Sequence, residues 1–104
     1  MADRIKALEA MIAREPSDVF LHYSLGMELT SAGQPEKAVK EFEHCIRLDA
    51  NYLAAYVEAA KALRTAGRLE EAREMFATAM ELAAVKGEKH TRDYIQQQLD
   101  GLPK

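Results

Sequence analysis

The sequence predicts an all-α protein, a stack of about six helices paired antiparallel. Two observations carry that prediction. Displacing the 104-residue chain against itself by 34 positions lays residues 18–50 on residues 52–84. Identities fall at Leu29/Leu63, Ala32/Ala66, Gly33/Gly67, Glu36/Glu70, Ala38/Ala72, Phe42/Phe76, Leu48/Leu82 and Ala50/Ala84. Conservative pairs such as Val19/Leu53, His22/Tyr56 and Gly26/Ala60 lie between them. A fixed period with matches at small, apolar and glycine positions marks a helical repeat array. Within each copy, apolar residues also recur three or four apart and are punctuated by glycine or proline, the period and the end signals of helices.

Taken in order, Ile5, Leu8, Met11 and Ile12 form a helical stripe that ends at Glu15-Pro16. Leu8 stands 34 positions before Phe42, so this helix reads as the second half of an earlier repeat, residues 1–16. Ser17 is the expected N-cap of the next helix, whose inner face is Leu21, His22, Leu25, Gly26 and Leu29. Gly26 falls mid-helix, where glycine is about 1 kcal/mol worse than alanine; close approach of a neighbouring helix explains it. Gly33 stops the helix, and Pro35 begins the next at a position that needs no N–H. Ala38, Val39, Phe42, Cys45, Ile46 and Leu48 then share one face, and Asn51 is the expected N-cap that follows. The second copy places Tyr56, Ala59, Ala60 and Leu63 on its first helix, and Leu69, Ala72, Met75, Phe76, Ala79 and Leu82 on its second, which continues to Gly87. A last amphipathic helix over residues 91–102 carries Tyr94, Ile95, Gln98 and Leu99 inward. The organisation read from this is one domain over residues 1–104: a half-repeat (1–16), two repeats (19–52 and 53–86) and a capping helix (87–104).

Composition narrows function. The 14 basic and 17 acidic side chains are interspersed and leave a net charge of −3, without the basic patch that a nucleic-acid partner requires. No apolar run approaches a membrane span, and the start lacks a signal-like segment; with the single Cys45, this points to a reducing, cytoplasmic setting. The chain is expected to bind no membrane and no nucleic acid. Three histidines and one cysteine in no ligand-like spacing predict no metal site and no cofactor. His44-Cys45 resembles a base beside a nucleophile, but adjacent helical residues point apart, so Cys45 reads as a buried structural thiol. Without a phosphate loop or paired carboxylates, no enzyme activity is expected.

The two copies resemble the tetratricopeptide repeat, a 34-residue helix-turn-helix unit, which implies that the stack is a right-handed superhelix. The matching positions are Leu25-Gly26, Leu29, Gly33, Ala38, Phe42, Cys45 and Ala50, then Ala59-Ala60, Leu63, Gly67, Ala72, Phe76, Ala79 and Ala84. His22 and Tyr56 stand where the family often has Trp, and Ala50 and Ala84 replace its proline. The resemblance implies a protein-protein interaction module, a scaffold or small adaptor, whose ligand lies in a concave groove lined by the first helix of each repeat. The lysines and asparagines with which one subgroup clamps chaperone C-termini are missing at Tyr23, Met27 and Glu58. The residues expected to meet a partner protein or peptide are Phe20, Tyr23, Met27, Val57, Lys61, Arg64 and Arg92: an apolar floor beside a basic wall. Phe20, Tyr23 and Met27 could equally pack against the first helix, and an open apolar edge could be covered by a second copy in a homodimer.

Overall fold

Six helices follow one another in the computed structural model, which describes residues 2–104: α1 (Ala2–Arg14), α2 (Val19–Ser31), α3 (Pro35–Leu48), α4 (Leu53–Thr65), α5 (Leu69–Lys86) and α6 (Lys89–Asp100). Met1, with which the expected half-repeat opens, lies outside the described residues. Each helix packs chiefly on its neighbours in the chain, and α2 additionally touches α4. The result is elongated, 38 × 28 × 19 Å.

The helix ends are set by local chemistry. At α2 the cap is Asp18 rather than Ser17: its Oδ1 accepts from the Leu21 amide at 3.3 Å. Asn51 likewise caps nothing; Tyr52 takes the position before α4, and Asn51 donates its amide to Asp49 Oδ1 at 3.0 Å within the preceding turn. At the C-terminus of α2, Gly33 adopts φ +74°. The amides of Gly33 and Gln34 then reach back to the carbonyls of Thr30 and Leu29 at 3.1 and 2.9 Å, the two bonds of a Schellman stop. Gly67 repeats it, with Gly67 and Arg68 donating to Arg64 and Leu63. Gly33→Ala will lower stability by about 1 kcal/mol, because alanine is strained at positive φ. Chemical denaturation checks this, and an unchanged midpoint would refute it.

Two apolar clusters fill the stack. The first gathers Leu25, Leu29, Ala38, Val39, Phe42, Ala59, Ala62, Leu63 and Ala72. Ile5, Leu8 and Ile12 dock α1 against it. The second joins Leu53, Val57, Ala60, Phe76, Ala79, Ala83, Ile95 and Leu102. Met11, expected on the inner stripe of α1, is instead exposed, because it lies on the side of α1 that turns toward the groove described below.

At Gly26 the backbone of α2 lies directly against Phe42 of α3. A Cβ built there would stand 2.5 Å from Phe42 Cε1 and 2.7 Å from its Cζ. The Phe42 ring is fully buried, so it occupies the space that a side chain at position 26 would need. In the second repeat Ala60 takes the equivalent place in the cluster with Phe76.

Candidate partner-binding groove

An open groove of about 450 Å³ runs between α1 and α2. Arg4, Ala7, Leu8 and Met11 line it from α1; Phe20, Tyr23, Ser24, Met27 and Glu28 line it from α2. These come together because residues 20, 23, 24 and 27 lie on one side of a helix whose other side, Leu21, Leu25 and Leu29, is held in the core. Phe20 is 65% exposed and Met11 49%, an unusual placement for large apolar side chains on adjoining helices. Tyr23 is half-buried against Phe42 and Tyr52, at ring separations of 5.8 and 5.4 Å. Burial, and then the Glu58 carboxylate, push its phenol above the ordinary value. Arg4 and Glu28 pair at 3.1 Å along the rim. Phe20, Tyr23 and Met27 therefore line the groove from α2 opposite Leu8 and Met11 of α1.

The remaining expected residues do not join this floor. Val57 is buried, packed into the second core cluster, and offers a partner no surface; the small residues of α4 let that helix sink until nearly every side of it is covered. Lys61 pairs with Glu58 at 3.6 Å and lies over the Tyr94 ring at 5.7 Å. Its bond to Tyr94 holds its pKa above the ordinary value. Arg64 donates to Gln98 Oε1 and sits 5.9 Å from the centre of the Phe76 ring. Arg92 lies on the other side of α6, beside Met80, Ala84 and Leu99. No continuous basic wall results: Lys61 and Arg64 fasten α4 to α6, and Arg92 stands apart from both.

Cys45 is fully buried, its Sγ donating to the Val19 carbonyl at 3.6 Å. Burial, with Glu41 second, pushes its thiol up to about 11. The unfolded chain therefore releases this proton at lower pH than the folded one does, so stability is intact below about pH 9 and falls as the pH rises toward about 11. Denaturant midpoints measured through that window will drop more steeply in the native chain than in Cys45→Ala.

One grouping was invisible to sequence spacing. His22, expected at the core edge, is 3% exposed, and the fold places Glu41 and His44 beside it. The ligand-like spacing absent along the chain is present in space, since the 19-residue gap between His22 and Glu41 is closed by the α2–α3 hairpin. His90 is exposed.

Known proteins with this arrangement agree with the geometry. The pattern of the tetratricopeptide repeat matches residues 29–85. A TPR repeat-containing protein of Pseudomonas aeruginosa is 32% identical over 85 residues, 82% of this chain and 81% of that one. The type III secretion translocator chaperone SycD of Yersinia enterocolitica superimposes with a TM-score of 0.88 at 25% identity, covering 95% of this chain and 69% of that chain. A second structure of SycD, also at TM-score 0.88 and 25% identity, holds a peptide of the translocator YopD and is covered to 76%. Helix pairs turned by left-handed glycines 34 residues apart, a fully buried phenylalanine in each repeat, the family pattern over residues 29–85 and the 32% identical relative all say the same thing: this chain belongs to the tetratricopeptide-repeat family.

Proposed function

We infer that this protein is a non-catalytic interaction module that seats a segment of a partner protein in the α1–α2 groove. The observation that carries the reading is the pair of exposed apolar side chains, Met11 of α1 and Phe20 of α2, that line that groove together with Tyr23 and Met27. Large apolar side chains left open on a rigid scaffold are the anchors that helix-in-groove recognition uses. Peptide binding by a structural neighbour is consistent with it. Under this reading residues 1–16, 19–52, 53–86 and 87–104 act as half-repeat, two repeats and cap. The groove takes a segment with spaced apolar residues, and the scattered cations of α4 and α6 contribute little.

The test is selection of peptides from a random displayed library on the immobilised full chain, followed by binding to Tyr23→Ala/Met27→Ala. Selected peptides will bind the double variant at least about tenfold more weakly, the loss of one apolar anchor or more, while its helix content is unchanged. Equal binding would sink the groove. A second reading, self-association, draws on the same exposed apolar side chains: a second copy could cover Met11 and Phe20. Light scattering across concentrations separates the two, since a mass near 11.6 kDa leaves the groove open and a doubled mass assigns it to a homodimer.

A further inference from the structure

We propose that His22, Glu41 and His44 form a binding site for a divalent transition metal of the zinc class, clasping α2 to α3. One ligand atom from each residue lies within 4.8 Å of the others. Glu41 and His44 are three apart on α3 and so share a face of that helix; His22 approaches from α2.

Donor and acceptor accounting at His22 is the core of the argument. Its Nε2 stands 2.7 Å from the Pro16 carbonyl oxygen, which can only accept, so Nε2 carries the hydrogen. A neutral ring then presents a bare lone pair at Nδ1. That lone pair stands 2.9 Å from Glu41 Oε1, and an ionised carboxylate also only accepts. Two acceptors facing each other are reconciled only by a proton between them or by a metal ion. A backbone carbonyl holding the far nitrogen is the outer-sphere arrangement that fixes tautomer and orientation in metal-ligating histidines. His44 supplies a second imidazole directly alongside, its ring stacked on His22 at 4.2 Å and 23°.

The sizes agree after small movements. Nitrogen and oxygen ligands at about 2.0–2.2 Å from zinc stand about 3.3–3.5 Å apart in a tetrahedron. The His22–Glu41 pair must therefore open by about half an ångström, and His44 must swing its ring edge inward. His22 is the fixed member; Glu41 and His44 are only half-buried and have room to turn. Two imidazoles and one carboxylate favour zinc, nickel or copper over calcium or magnesium, and water completes the coordination. Cys45 is not a ligand, since its thiol is engaged with the Val19 carbonyl. Bound metal would join the turn before α2, α2 itself and α3 at one point.

The full chain, purified without a histidine tag and stripped with chelator, is titrated with Zn²⁺ by calorimetry and with Co²⁺ by visible absorption. Saturable binding of one ion per chain is expected, with the ring nitrogens of His22 and His44 shifting in NMR spectra. His44→Ala and Glu41→Gln, which alter half-buried side chains, should weaken Zn²⁺ binding by about tenfold or more, whereas His90→Ala should leave it unchanged. No saturable binding, or binding undiminished in His44→Ala, would overturn the site and leave a proton as the bridge between His22 and Glu41.

Discussion

Replacing Phe42 with alanine will lower the unfolding free energy by about 3–5 kcal/mol, the range for deleting a fully buried aromatic ring. The ring is 0% exposed and lies in the first core cluster, wedged against the backbone of α2. No neighbour can collapse into the vacancy easily, because the wall facing it is the backbone at Gly26 and the helices on either side are held by Leu25, Leu29 and Val39. The same geometry predicts coupling. Gly26→Ala alone will destabilise the chain although alanine is the better helix former by about 1 kcal/mol, since its Cβ would meet the ring at 2.5 Å. In Phe42→Leu the pressure is relieved, and adding Gly26→Ala will do much less harm there. Urea midpoints of the four proteins form a double-mutant cycle; additive effects would mean that α2 and α3 separate freely and that the wedge is not what sets their distance.

Ile95→Ala will be nearly as disruptive, about 2–5 kcal/mol, but its effect will be local. Ile95 is the buried residue of α6, 0% exposed among Val57, Phe76 and Ala83. Helix α6 packs chiefly on α5, with Ile95 also meeting Val57 of α4 in the shared cluster, and is tied further to α4 by Arg64 to Gln98 and by Lys61 over the Tyr94 ring. Amide hydrogen exchange should show α6 losing protection while α2 and α3 retain theirs. Uniform loss across all six helices would show that the stack unfolds as one unit.

Most of the fold was legible because a repeat states its answer twice. The glycine stops, Phe42 and Phe76, the buried thiol and the extended α5 all follow from aligning one copy with the other and asking which residue types each place tolerates. What escaped was of two kinds. Cap identity turned on a single residue: Ser17 and Asp18 are both good N-caps, and only the path of the chain decides between them. Face identity failed on α4, where alanines at 55, 59, 60 and 62 are buried on several sides and no polar stripe separates core from groove. Val57 was placed in the groove for that reason. The pairing of Arg64 with Gln98, and the meeting of His22 with His44, cross between helices and depend on register, which periodicity within one helix does not report. That Phe20, Tyr23 and Met27 line one groove is legible because helical spacing alone puts them on a common side.

The order of packing, in which each helix rests chiefly on the one before it, has a kinetic meaning. The main contacts between helices require the chain to close loops no longer than one helical hairpin, so the entropy lost before the first stabilising contact is small. Chains built this way fall among the fastest folders, on the microsecond-to-millisecond scale. Any adjacent pair can serve as the starting point, and growth proceeds outward in either direction. A ribosome releasing the chain residue by residue would thus have α2 and α3 paired on Phe42 before α5 is made.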